Sequence, residues 1–149
     1  MRTAIFPGSF DPFTIGHLDI VERGLQLFDR VVIGIGKNSM KGETFPLAFR
    51  VESLKDYFKT EERVVVDVYD VLTVDFARRH GAKFLLRGVR TVQDFEYEQT
   101  MAEANRQLDG IETVLLYARP EHAYISSSLV RELYSYNRDV SRLVPCRLP

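Results

Sequence analysis

Two stretches of this 149-residue chain gather residue types suited to holding phosphate. The first, Gly8-Ser9-Phe10-Asp11-Pro12-Phe13-Thr14-Ile15-Gly16-His17, follows the apolar run Ala4-Ile5-Phe6 and leads into a helical run from Leu18 to Phe28. A loop that opens a helix is a ready anion site, because the first backbone N–H groups lack internal partners and the helix dipole adds positive charge there. Gly16 lets the backbone approach a ligand, and His17 falls where its ring can meet phosphate oxygens. Ser9 and Asp11 are ordinary turn and cap residues when taken alone, and a structural role is expected for Asp11. The second stretch, Ile125-Ser126-Ser127-Ser128-Leu129-Val130-Arg131, sets three serines at a helix start, where hydroxyl and backbone donors serve either as a cap or as an anion cradle.

Cationic side chains complete the picture. Arg87-Gly88-Val89-Arg90 puts two guanidiniums around a glycine, and their fixed donors can grip phosphate oxygens in pairs. Lys41, in Lys37-Asn38-Ser39-Met40-Lys41-Gly42, can bring a point charge to a phosphate. Beyond the arginines, Asp94, Glu98, Met101 and Asn105 share one helical stripe. Its carboxylates either balance the nearby arginines or accept a ligand hydroxyl.

The elements that must position these groups alternate. Apolar runs at Thr3 to Phe6, Val31 to Gly36, Val64 to Tyr69, Phe84 to Arg87 and Thr113 to Tyr117 read as five buried strands. Segments of helical period lie between and after them: Leu18 to Phe28, Leu47 to Phe58, Thr73 to His80, Val92 to Leu108, and about Ser127 to Tyr136. Such alternation predicts an α/β fold, a doubly wound five-stranded parallel sheet with helices on both faces and ligands at the carboxyl ends of the strands. In the first helix Leu18, Val21, Leu25 and Phe28 form the stripe that packs on the sheet. Gly34-Ile35-Gly36 lacks the third glycine of a dinucleotide fingerprint, and the chain has no G-x-x-x-x-G-K-[ST] loop.

Composition bounds the rest. The length suits one domain over residues 1–149. Twenty Lys and Arg against 21 Asp and Glu give a formal charge of −1, so no global field favours nucleic acid or an anionic membrane. Cys146 stands alone, which excludes an internal disulfide or a cysteine cage and suits a reducing compartment. The first apolar run is cut by Pro7, too short for a signal peptide, and no later run reaches membrane-spanning length, so a cytoplasmic protein is expected.

Together, Phe6-Pro7-Gly8-Ser9-Phe10-Asp11-Pro12, Thr14 to His17, Arg87 to Arg90, Asp94-Phe95-Glu96-Tyr97-Glu98 and Ile125 to Ser128, in this order, resemble the phosphopantetheine adenylyltransferases of the nucleotidyltransferase superfamily. The likeness runs nearly end to end. It implies a Rossmann-like nucleotidyltransferase fold and transfer of the adenylyl group of ATP to 4′-phosphopantetheine, giving dephospho-coenzyme A and pyrophosphate. By the same resemblance His17 would stabilise the transition state, and Ser9, Lys41, Thr73 and Arg87 would contact phosphopantetheine. The nucleotide would meet Ser9, Phe10, His17, Gly88, Val89, Arg90, Glu98, His122, Ala123, Tyr124, Ile125, Ser126, Ser127 and Ser128. The resemblance further implies Mg2+ carried mainly on the ATP phosphates, a homohexamer, and coenzyme A as a feedback ligand. Many relatives carry threonine where Ser9 stands; serine keeps the hydroxyl. The rival readings are an adenylyl- or cytidylyltransferase for another acceptor, such as nicotinate mononucleotide, and a nucleotide-sensing module without turnover.

Overall fold

The computed structural model describes residues 1–37 and 42–149, so Lys41 lies outside the described residues. Five strands, β1 (Thr3–Gly8), β2 (Arg30–Gly36), β3 (Val64–Tyr69), β4 (Phe84–Val89) and β5 (Glu112–Tyr117), form one parallel sheet in the order β3-β2-β1-β4-β5. Helices α1 (Ile15–Gly24), α2 (Leu47–Tyr57), α3 (Thr73–Arg79) and α4 (Val92–Asp109) make the crossovers. A 3-10 turn (Pro120–His122) and α5 (Ser127–Ser135) follow β5.

The period of two along the central strands explains the two-faced core. Ala4, Phe6, Val31, Ile33, Ile35 and Leu86 pack with Ile20 and Val21 of α1 and Leu54 of α2, while Ile5, Val32 and Leu85 meet Val74, Phe76 and Ala77 of α3 on the other face. The expectation of five buried strands holds only for β1, β2 and β4. The edge strands β3 and β5 are half-buried to exposed, because each has a neighbour on one side only. The first helix also differs from its expected span: it begins at Ile15 and ends at Gly24, leaving Leu25 and Phe28 beyond its last turn. The other helices differ from expectation by a residue or so at their ends, and α4 stops where Gly110 takes φ 66°, a left-handed turn that favours glycine.

The order reverses at β1, the topological switch point where open α/β sheets form a crevice. Here the strands part early. β1 and β2 pair from Thr3↔Arg30 to Gly8↔Ile35, whereas β1 and β4 pair only at Ala4↔Phe84 and Ile5↔Leu85. Beyond that point Arg87 Nη1 donates to Pro7 O at 2.7 Å, so a side chain bridges the gap that the strand ladder leaves.

One glycine inside the sheet has a packing role. A Cβ on Gly34 would stand 2.6 Å from Phe76 Cε1, and that ring is itself stacked on Tyr69 at 4.4 Å. Gly34→Ala is therefore expected to destabilise the protein by about 1–3 kcal/mol through overpacking, measured by urea unfolding.

Candidate active site at the strand carboxyl ends

A cleft of about 480 Å3 opens where β1 and β4 diverge. Its walls come from the end of β1 (Pro7 to Phe10), the start of α1, the end of β4, and the start of α5.

Thr14 is the N-cap of α1, and it makes a reciprocal capping box with His17. The Thr14 hydroxyl accepts from His17 N at 3.3 Å, and Thr14 N donates to His17 Nδ1 at 2.9 Å. Histidine thus stands where Glu or Gln usually completes such a box. Because Nδ1 accepts from a backbone amide, the neutral ring carries its proton on Nε2 and is a donor there. The rings of Phe6, Phe10 and Phe13 surround it at centroid distances of 6.1, 5.0 and 5.3 Å. Burial, with Arg87 and Arg90 adding repulsion, lowers the His17 pKa from 6.5 to about 3.

The free amides can be counted. At the start of α1, Ile15 N donates to Leu143 O and His17 N to the Thr14 hydroxyl, which leaves Gly16 N–H without an acceptor among the described residues. At the start of α5, Ser126 caps Leu129 N, and Ser127 N–H and Ser128 N–H have no acceptor among the described residues. Gly16, Ser127 and Ser128 all line the cleft. These are the donors that a helix start offers to an anion.

Two contacts fix the helix starts to each other. Ser127 Oγ donates to Pro12 O at 2.8 Å, and Arg131 Nη1 donates to Asp11 O at 2.7 Å. Asp11 is buried and structural as expected: its carboxylate accepts from Thr44 N and Phe45 N, both at 2.8 Å. Phe10, between them and β1, has φ 47°, an uncommon conformation for a residue with a side chain.

A second hollow of about 440 Å3 lies between α3 and α4 and shares Pro7, Gly8 and Arg87 with the first. Leu72, Val74, Tyr97, Met101 and Leu108 give it an apolar lining, with Thr73 and Asn105 among its polar groups. Glu98 is buried here and pairs with Arg87, with Nη2 to Oε1 at 2.7 Å and Nε to Oε1 at 2.9 Å. The Asp94 carboxylate accepts from Arg90 N at 3.0 Å.

Of the residues named from sequence, the first cleft gathers Ser9, Phe10, His17, Arg87, Gly88, Arg90, His122, Ile125, Ser126, Ser127 and Ser128. Thr73 and Glu98 line the second hollow. Val89, Ala123 and Tyr124 line neither; Val89 is buried at the end of β4 and Tyr124 is exposed. Arg131 was not singled out, although it lines the first cleft. Its signal was its place one turn into a helix whose serines already face an anion.

A parallel sheet with a switch-point crevice, two helix starts facing one cleft and a cluster of arginines define an α/β protein with a site suited to a polyphosphate. Residues 5–133 match the cytidylyltransferase-like family. Phosphopantetheine adenylyltransferase of Bacteroides fragilis is 55% identical over 145 residues, 97% of either chain, and that of Cytophaga hutchinsonii is 46% identical over 99% of either. A bifunctional NMN adenylyltransferase/ADP ribose pyrophosphatase from Francisella tularensis shares the fold at TM-score 0.70 and 14% identity, over 99% of this chain and 45% of that one. Within the cytidylyltransferase-like group, the chain belongs to the phosphopantetheine adenylyltransferase family.

Two expectations test this geometry. A Cβ on Gly16 would lie 3.5 Å from Thr14 Oγ1, an ordinary van der Waals contact, on a residue that lines the cleft. Gly16→Ala should keep or raise stability by up to about 1 kcal/mol, as alanine does in a helix, while weakening nucleotide binding in calorimetry. The His17 pKa sets the second. The unfolded chain takes up a proton near pH 6.5, whereas the folded chain does so only near pH 3, so the wild-type protein loses stability as pH falls through that window. His17→Gln keeps a capping-box acceptor and removes the titration. By pH 5 the wild-type protein should have lost about 1–2 kcal/mol more than the variant in urea unfolding, with no added difference above pH 7.

Proposed function

We propose that this chain transfers the adenylyl group of ATP to 4′-phosphopantetheine, releasing pyrophosphate and forming dephospho-coenzyme A. The observation that carries this reading is the position of Arg87, the one guanidinium common to a donor-rich cleft and a largely apolar hollow. The first suits a nucleoside triphosphate, and the second suits a long, uncharged arm with an anionic head at the junction. The names of the near full-length relatives support the same acceptor.

A phosphate monoester has a second pKa of about 6, so near neutral pH the acceptor is already largely dianionic and needs no protein base. What the protein must supply is alignment and donors for the charge that grows on the α-phosphate and on departing pyrophosphate. In this reading His17, neutral and donating through Nε2, meets the α-phosphate. Gly16 N–H lies on the same side of the cleft. Ser127 N–H, Ser128 N–H, Arg90 and Arg131 receive the pyrophosphate portion. Arg87, with Ser9, Thr73 and Lys41, orients the acceptor, and Glu98 holds the Arg87 fork rather than meeting the nucleotide itself. His122 and Ile125 form the wall available to the base.

Magnesium belongs to this reading as part of MgATP. The residues offer no cage of their own: among the described residues no three His, Cys, Asp or Glu side chains converge, and Asp94 and Glu98 are engaged with arginines. The homohexamer also remains our proposal. Helix α4 supports it, exposing Val92 and Phe95, which do not line the acceptor hollow. Coenzyme A would act as a feedback ligand by carrying both an adenylate and a pantetheine arm. A reducing, cytoplasmic setting fits the single Cys146, and among the described residues no helix is long and apolar enough to cross a membrane.

The test is pyrophosphate release from ATP with paired acceptors. Release is expected with 4′-phosphopantetheine and not with nicotinate mononucleotide; the reverse, or ATP binding with no release, contradicts the reading. His17→Ala should lower kcat by about a hundredfold or more, the usual cost of one well-placed transition-state donor, with little change in ATP affinity.

A further inference from the structure

Arg50 is a buried arginine on α2 that sequence reasoning passed over. Each of its three nitrogens has a protein acceptor. Nε donates to Phe45 O at 2.9 Å, Nη1 to Ser9 O at 2.7 Å, and Nη2 to Glu43 Oε2 at 2.5 Å. Asp11 Oδ1 lies 4.0 Å from Nε, so two carboxylates face this one guanidinium. Arg50 is therefore committed to protein partners. It borders a different hollow, one it shares with Ser9 and Arg131, and it does not line the cleft of His17.

The contact with Ser9 O has a geometric consequence. The Ser9–Phe10 peptide is trans and planar, so its carbonyl and its N–H point opposite ways. With the carbonyl turned to Arg50, the Phe10 N–H is turned away from α2. Phe10 N–H has no acceptor among the described residues, and Ser9 and Phe10 both line the cleft. The left-handed φ of 47° at Phe10 is an orientation that the chain does not adopt without support.

We propose that Arg50 is a positioning residue for adenylyl transfer: by holding the Ser9 carbonyl it aims the Phe10 N–H into the cleft, at the α-phosphate that His17 also meets, and sets the neighbouring Ser9 hydroxyl beside the acceptor. This rests on the reading given under Proposed function. With all three nitrogens engaged by protein acceptors, Arg50 acts through the loop rather than on the substrate. It also ties the chain entering α2 to the same loop, since the guanidinium holds Phe45 O while Asp11 holds Phe45 N. A lysine at this position offers one ammonium that cannot span three acceptors.

The experiment uses the full chain, 15N-labelled, with and without an ATP analogue bridged by a methylene between its α- and β-phosphates, together with steady-state kinetics of wild type and Arg50→Lys. In wild type the Phe10 amide resonance is expected to move on adding the analogue. In Arg50→Lys that movement should collapse while the Gly16 and Ser128 amides still respond. The turnover per ATP-binding site, counted by calorimetry, should fall roughly ten- to a hundredfold, as a small misplacement of reacting groups would produce. KM for ATP should stay within about twofold. A purely structural role would lower the number of competent sites and leave turnover per site unchanged, and that result overturns the proposal. So does a wild-type Phe10 amide that fails to move, a readout that needs no variant to fold. Absence of pyrophosphate release by wild type with 4′-phosphopantetheine would instead sink the reading of the reaction, leaving the Phe10 amide to judge Arg50.

Discussion

The grip of α5 on the loop after β1 is the constraint on which the site depends. Ser127 and Arg131 hold the carbonyls of Pro12 and Asp11, more than a hundred residues away in sequence. Buried or half-buried carbonyls need partners, and here the partners come from the helix whose own first amides remain free. Without that grip the starts of α1 and α5 would be two separate weak anion sites. With it, the free amides of Gly16, Ser127 and Ser128 line one cleft, together with the Nε2 donor of His17.

The electrostatics follow from the same arrangement. The phenylalanine cage removes water from the imidazole, and the arginines concentrated beside it further disfavour a positive charge there. The capping box then decides which nitrogen carries the proton. A histidine that would titrate near neutrality in water is thereby a constant neutral donor. Arg87 and Glu98 show the complementary device: a buried carboxylate holds the arginine fork at the junction of two hollows, while Pro7 O takes a further donor of the same guanidinium.

Much of this was legible in the sequence. The alternation of period-two and helical segments gave the parallel sheet, and the order of glycine turn, arginine pair and triple serine marked the carboxyl-end crevice. What was not legible lay in contacts between distant segments. The apolar period begins at Leu18 rather than at Ile15, where α1 starts, because Ile15-Gly16-His17 carries no such period and a histidine does not advertise a capping box. For Glu98 the stripe leaves two readings, balancing an arginine or accepting a ligand hydroxyl, and the fold selects the first by bringing Arg87 across to it. Arg50 sits on the stripe of Leu47, Val51 and Leu54, where a polar residue in an apolar helix face was the available signal. The half-exposure of β3 and β5 follows from strand order, which periodicity does not reveal.

The most direct test of the central claim is a crystal structure of the protein with MgATP or a non-transferable analogue. The triphosphate should span the cleft, with an α-phosphate oxygen about 3 Å from His17 Nε2, a normal hydrogen-bond distance, and the outer phosphates against the amides of Ser127 and Ser128. A nucleotide bound elsewhere, with the Gly16 and Ser127–Ser128 amides both left without phosphate, would contradict the account.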